Sequence, residues 1–423
     1  STTGQGIDTL RDALAVLAHA APPRTSRDGP PRLSVDRIFE KRGFGSVVTG
    51  TLVGGPLAVG AAVELYPSGL SARIRGLQSH GEPCDVAEPG VRCAVNLQGV
   101  SLDEVSRGQV VAPPGRLAPT RTLDVEIGWL AVAPEIDGPT SVEFLAGTAE
   151  RRARVAPIGS DGVLEPGSQG FARIHIDGDP VAMLPGERFV LRGFARTEMG
   201  GATLGGGRVL DVAPPHRRRS DPALSRELAE LAHGEPAREL TLRVERAGLA
   251  GVARAALERE TGLAGEAFDA ALAQVPGQVV SAGTGHLVAV RALESLEARM
   301  LESLAAYHAA EPLRPGMPTG ALRGALPENV PDAAREAALA RLAERGAIAI
   351  HGDHVAASDH RVVLDEATQA LTHRLATRLA EAALEAPSLR DLAAPVGRDA
   401  DALGDLLAHL EREGRIVRAP GDL

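Results

Sequence analysis

Two hydrophobic periodicities divide the 423-residue chain. From about Arg32 to Val212, apolar and polar residues alternate in short segments closed by glycine- or proline-bearing turn signals, the pattern of barrels and sandwiches. From Ser220 onward, Ala, Leu, Glu and Arg recur at helical spacing. Within the front half, "VDRIFEKRGFGSVVTGTLVGG" (Val35 to Gly55) predicts the first hairpin of a barrel. Strict alternation puts Leu33, Val35, Arg37 and Phe39 on one face of its first strand. Val47 and Val48 begin the return strand, and Arg42-Gly43-Phe44-Gly45 supplies the turn. One arginine is thereby expected on the apolar side, where a buried cation without a partner is costly. A strand that only built a core would have no use for it.

The helical half repeats one plan. "ALAQVPGQVVSAGTGHLVAV" (Ala271 to Val290), "ALARLAERGAIAIHGDHVAAS" (Ala338 to Ser358) and "LLAHLEREGRIVRAPGDL" (Leu406 to Leu423) each pass from an amphipathic helix end through a glycine stop to a strand and a tight turn. Gly277, Gly346 and Gly414 are the expected stops. A helical group followed by a two-stranded wing is a winged-helix unit. The third copy ends where a returning wing strand should begin, so its wing is expected to be truncated. "APPRTSRDGPP", "APPGRLAP" and "APPHRRRS" read as linkers. The organisation predicted is multidomain: two β-barrels, then a run of α+β winged-helix domains.

Charge and composition remove several function classes. The net charge is -10, so a nucleic-acid partner has to be met by local basic patches. Lys41 is the sole lysine, and it follows Glu40, so the Gly-Lys-Ser/Thr end of a phosphate-binding loop cannot be assembled. The chain is therefore not expected to be an enzyme, and no catalytic residue is assigned. Aromatic residues make up 2%, which argues against base-stacking platforms. Cys84 and Cys93 form neither a disulfide framework nor a metal pair, no apolar run reaches spanning length, and a cytoplasmic protein without membrane association is expected. "GGATLGGG" (Gly200 to Gly207) lacks a following helix to present amides to phosphate and reads as a barrel turn. "HGDH" (His351 to His354) falls in a wing turn without further ligands, so no metal site is assigned. "ERRAR" (Glu150 to Arg154) and "HRRR" (His216 to Arg219) suit phosphates or are solvated charge runs. The last helix sets Asp399, Asp401, Asp405, Glu411 and Glu413 against Arg398 and Arg412, a poor face for RNA.

The spaced motifs carry a resemblance. "DRIF" with "GFGSVVTGTLVGGPLAVG", then "ARIRGLQSH", "PGVRCAVNLQGV" and "RGQVV", resembles the second domain of translational GTPases related to elongation factor Tu, most closely their bacterial selenocysteine-specific branch. "PGERFVLRGFARTEMGGATLGGGRVLD" is similar to the end of the third domain, "EPLRPGMPTGALRGAL" to a loop and helix of the winged-helix region, and "STTGQGIDTLRDAL" to the last guanine-side loop and final helix of a G domain. The resemblance implies a division into residues 1–20 (remnant of a GTPase domain), 21–31 (linker), 32–115 and 118–213 (barrel domains II and III), and 220–290, 291–358 and 360–423 (winged helices). It also implies that most of the G domain and the last winged helix lie outside this sequence.

Delivery of selenocysteinyl-tRNA to the ribosome at recoded UGA codons is the implied function, GTP-dependent, with the winged-helix arm directed to an mRNA insertion hairpin. GTP and Mg²⁺ would belong to the full-length parent and no cofactor to this chain; a monomer is expected. By the same resemblance Asp36, Arg37 and Arg92 surround the esterified amino acid, His80, Arg151, Arg152 and Arg154 approach the tRNA, and Ser1 and Thr2 are a nucleotide-binding remnant. Read from the residues alone, Asp36 and Arg37 are also an ordinary strand-surface ion pair, and Arg92 is also a solvated charge. A winged-helix DNA-binding regulator with a barrel sensor is the competing class; the acidic third helix and the full set of barrel motifs argue against it.

Overall fold

The computed structural model describes all residues except 1, 21–28, 42–44, 198–199, 283–284, 329, 363, 365, 383–386, 388–391, 393–399 and 418–423. The turn expected at residues 42–44 and Ser1 thus lie outside the described residues. Two units can be separated, Ser1–Arg246 with Val252–Pro276, and Ala247–Gly251 with Gly277–Leu423.

In the first unit, six strands close a barrel: β1 (Arg32–Lys41), β2 (Gly45–Val53), β3 (Ala62–Tyr66), β4 (Leu70–Ser79), β5 (Arg92–Gln98) and β6 (Val110–Ala112). Their order is β3-β6-β1-β2-β5-β4, with β4 pairing back to β3. Alternation sends Leu33, Val48, Leu52, Val63, Ile74 and Val95 inward, each at most 1% exposed. A second closed barrel follows: β7 (Thr122–Trp129), β8 (Thr140–Ala146), β9 (Ala149–Ile158), β10 (Gln169–Ile176), β11 (Arg188–Thr197) and β12 (Gly200–Asp211), in the order β7-β10-β9-β8-β11-β12. Phe144 stacks on Phe189 at 5.6 Å inside it. "GGATLGGG" is not the turn expected but the body of β12. A Cβ on Gly207 would lie 1.9 Å from the Glu126 carbonyl oxygen, and one on Gly206 2.6 Å from that of Phe189. Close approach of neighbouring strands, rather than a reversal, requires these glycines.

The helices of this unit are α1 (Ile7–Ala20), α2 (Pro222–His233), α3 (Pro236–Ala247), α4 (Arg254–Thr261) and α5 (Glu266–Ala273). None of α1 is buried. Helix α2 starts where the Asp221 carboxylate accepts the Ala223 N–H, with Pro222 in its first turn, and stops at left-handed Gly234. Leu224, Leu228 and Leu231, at i, i+4 and i+7, pack against Ile158 and Leu210 of the second barrel. At about 1.5–3 kcal/mol for each buried leucine, this face holds the helix to the barrel. The expected "HRRR" linker is a strap: Arg217 pairs with Glu227 at 2.5 Å and Arg219 donates to the Pro157 carbonyl oxygen at 2.9 Å.

The second unit contains the hairpin β13 (Val279–Ala282) and β14 (His286–Ala289), then α6 (Val290–Ala310), α7 (Thr319–Ala325), α8 (Asp332–Glu344) and the wing β15 (Ile348–His351) and β16 (His354–Ala357), with Met317–Pro318 pairing on β16. Leu293, Leu296, Met300 and Leu304 of α6 share a core with Ala338 and Leu342 of α8. This is a winged helix. Helices α9 (Glu366–Ala382) and α10 (Ala400–Arg412) pack through Leu371, Leu375, Leu403 and Leu410. Gly346 (φ 67) and Gly414 (φ 70) end their helices identically, with Ala347 N–H donating to Leu342 and Arg415 N–H to Leu410. Gly277 is no such stop, because α5 already ends at Ala273.

Candidate functional site

The strand that carries Asp36 and Arg37 does not keep the alternation its sequence suggests. Val35 pairs with Gly50 and Arg37 with Thr49, so one extra residue, Asp36, is accommodated in β1 between them. Such a bulge reverses the inward and outward faces beyond it. Leu33 and Val35 are fully buried, but after the bulge Ile38 packs on the core, Arg37 is exposed and Phe39 is 43% exposed. Arg37 is therefore not on the apolar side, contrary to expectation; it stands outward beside Asp36. Gly50 permits this, because a Cβ there would meet the Ser34 carbonyl oxygen at 2.2 Å. A glycine in mid-strand was the one sequence signal for the bulge.

Outward positions of β2 and β5 complete the cluster. Thr49 and Thr51 point away from the core, and Thr51 pairs with Arg92. The Thr49 hydroxyl donates to Asp36 Oδ1 at 2.6 Å. Arg92 Nη2 donates to the same Oδ1 at 2.8 Å and to Thr49 Oγ1 at 3.1 Å. The Arg92 side chain is 54% exposed and that of Asp36 24%. Among the described residues the Arg37 side chain has no hydrogen bond or ion pair. Counted over Asp36, Arg37 and Arg92, this outer face carries one positive charge in excess, open to solvent and suited to a small anion. Thr49 was not singled out from the sequence, since nothing local distinguishes it from any strand threonine.

The remaining sequence-predicted residues are placed unequally. His80 is exposed at φ 52 in the turn after β4, one residue beyond Ser79, whose partner is Cys93; it sits at the same end of the sheet as Arg92. Burial, with a smaller push from Cys84, raises the Cys93 thiol to about 11, so it is a core side chain and not a nucleophile. Arg152 and Arg154 are exposed on β9, the first over the Phe194 ring at 5.9 Å and the second 3.4 Å from Asp177. Arg151 pairs across from inward Phe144 and is half-buried, so the three do not form one patch. Thr2 is exposed ahead of α1. Among the described residues no group of three or more His, Cys, Asp or Glu could hold a metal ion, and no helix is long and apolar enough to cross a membrane. A hollow of about 1090 Å³ between the two barrels and the α4–α5 turn is lined by Arg32 and Arg116, already paired with Glu187 and Glu258.

Residues 45–112 match the family described as elongation factor Tu domain 2, and residues 301–356 the one described as elongation factor SelB, winged helix. A selenocysteine-specific elongation factor from Desulfomicrobium baculatum is 30% identical over 98% of this chain and 65% of its own length. Over almost its whole length the chain is therefore similar to selenocysteine-specific elongation factors. A second such factor, from Escherichia coli (strain K12), is 28% identical over 99% of this chain and 64% of its own length. The chain thus spans somewhat less than two thirds of these relatives. The crystal structure of a bacterial selenocysteine-specific elongation factor, EF-Sec, shares the fold at a TM-score of 0.62, with 18% identity, over all of this chain and 73% of that one.

Proposed function

We propose that this chain is the tRNA- and mRNA-facing part of a selenocysteine-specific elongation factor. Its first barrel holds the aminoacyl end of selenocysteinyl-tRNA, its second barrel lies along the tRNA with Arg152 and Arg154 outward, and its winged helices form the arm toward the mRNA insertion hairpin on the ribosome. The division is into barrels at 32–115 and 118–213 and winged helices at 220–290, 291–358 and 360–423. GTP and Mg²⁺ act through a domain with a phosphate-binding lysine, which Lys41 cannot supply.

The observation that carries the reading is the excess positive charge at Asp36, Arg37 and Arg92, with Arg37 unpaired among the described residues. A selenol loses its proton near neutral pH far more readily than a serine hydroxyl. Selenocysteine therefore arrives as an anion, whereas a seryl ester would leave the guanidiniums poorly paired. The test is Arg37→Ala and Arg92→Ala in the full-length protein, with affinities measured for selenocysteinyl-tRNA and seryl-tRNA. Because the site is half exposed, the expected loss is about tenfold for selenocysteinyl-tRNA, at the lower end for a charge-assisted contact, and little for seryl-tRNA. Equal losses for both would overturn the reading.

A further inference from the structure

The two arginines of the site are held differently, and the difference turns on a residue that the reading above leaves without a role. Arg92 Nη2 carries two N–H groups; one meets Asp36 Oδ1 and the other Thr49 Oγ1. The Thr49 hydroxyl in turn gives its own proton to Asp36 Oδ1. These three contacts form a closed triangle of 2.6, 2.8 and 3.1 Å. A single contact to Asp36 would let the guanidinium swivel about one axis. The second, through Thr49, fixes its plane. With both Nη2 protons occupied, Nη1 and Nε remain for a ligand and face in a set direction. Arg37, on the bulge opposite Thr49 in the ladder, has no such tether.

Pre-orientation is worth most where a long side chain is exposed, because an untethered arginine loses substantial rotamer freedom when it binds. Arg92 is 54% exposed. Threonine suits this position because its branched Cβ restricts χ1, and on a strand its hydroxyl keeps a fixed direction. The position of that hydroxyl is secured by the bulge and by Gly50, which together bring Asp36 and Thr49 onto one face.

We infer that Thr49 is a positioning residue: it orients the Arg92 guanidinium toward the selenolate of the bound aminoacyl group, and so contributes to selectivity without touching the ligand. This inference rests on the function proposed above. It predicts a distinct outcome for two variants of the full-length protein. Thr49→Val keeps the branched shape and removes both hydrogen bonds; Thr49→Ser keeps the hydroxyl.

Affinities for selenocysteinyl-tRNA and seryl-tRNA would be measured for both variants, for Arg92→Ala, and for Thr49→Val combined with Arg92→Ala, alongside thermal unfolding. Thr49→Val should weaken selenocysteinyl-tRNA about three- to tenfold, leave seryl-tRNA and the melting temperature unchanged, and add nothing in the Arg92→Ala background. Thr49→Ser should restore most of the affinity. If Arg92→Ala weakens selenocysteinyl-tRNA selectively but Thr49→Val does not, this inference fails and the proposed function stands. Should Thr49→Val weaken both tRNAs alike, lower the melting temperature, or act equally without Arg92, its role is structural and the inference fails. If Arg92→Ala is itself without selective effect, both readings fall together.

Discussion

Replacing Arg243 by methionine should unfold the junction between the second barrel and α3 well before the barrel's own limit. Arg243 on α3 is 3% exposed and lies 2.9 Å from Asp211 Oδ1 at the end of β12, 2.8 Å from Glu239 and 3.4 Å from Glu260. Asp211 is fully buried and is also held by Arg246 at 2.5 Å, which pairs in turn with Glu227 at 2.7 Å. Burial disfavours the Asp211 charge, yet Arg243 and Arg246 together hold its carboxyl below the usual carboxylate range. Methionine fills a similar volume but leaves the buried Asp211 carboxylate and the half-buried ones of Glu239 and Glu260 to share one guanidinium fewer. Removing one partner from a buried pair costs about 3–5 kcal/mol. For a unit of this size, roughly 2–4 °C per kcal/mol translates that into a fall in Tm of roughly 6–20 °C. Trp129 is the only tryptophan in the sequence and is 2% exposed within the second barrel, so its fluorescence reports this unit in a urea or thermal titration. If the charge argument is right, adding Glu239→Gln to Arg243→Met should recover part of the loss, because it removes one of the stranded anions. A loss under about 1 kcal/mol, or a Glu239→Gln change that deepens it, would refute the reasoning.

Two further outcomes follow from individual side chains. His308 accepts the Ala357 N–H through Nε2 and stacks on His360 at 3.7 Å; burial first, then His360, holds it below its ordinary 6.5 against an opposing pull from Asp359. Its unfolded form takes up the proton first, so the contribution is complete above pH 6.5 and is lost as pH falls through the depressed value; stability measured at pH 7.5 and 5.5 should differ less in His308→Gln than in the parent. Gly50→Ala would press a methyl group against the Ser34 carbonyl oxygen, and it should cost about 1–3 kcal/mol and also weaken selenocysteinyl-tRNA, read by thermal unfolding and by tRNA titration of the full-length protein.

What could be read in the sequence was what is local. Alternation marked the barrels, 3.6-residue spacing marked the helices, and the glycines at 346 and 414 end their helices because only a left-handed residue allows the Leu342 and Leu410 carbonyls to be capped. What depends on pairing across strands was not legible. Arg37 was expected to face inward because period-2 counting assumes an unbroken ladder; one inserted residue at Asp36 inverts every face after it. "GGATLGGG" looked like a turn because its glycines are locally permissive, whereas the constraint on Gly206 and Gly207 is the carbonyl of a neighbouring strand, Phe189 for the one and Glu126, about eighty positions away, for the other. Gly277 resembled its two counterparts in composition but not in helix register. The candidate site residues were named through resemblance; their grouping on one outer face came from the bulge.

The same chemical pair serves two opposite purposes in this molecule, and exposure separates them. Arg243 and Asp211 are buried to within 3% and closed in by Glu239, Glu260 and Arg246, so their attraction is scarcely screened and the loss of either charge would leave its partners stranded. Arg92 and Asp36 are 54% and 24% exposed, where water competes and an ion pair is worth about 1 kcal/mol or less. A pair that weak orients Arg92 through Nη2 without spending its charge, and leaves Nη1 and Nε open to an anion in the site proposed above. It also means that no single exposed contact can supply strong selectivity. Under the proposed function, discrimination then has to come from several modest interactions, oriented in advance: an untethered guanidinium from Arg37, a fixed one from Arg92, and the carboxylate and hydroxyl that fix it. A lysine in place of Arg92 would keep the charge but not the planar fork through which Asp36 and Thr49 set its direction.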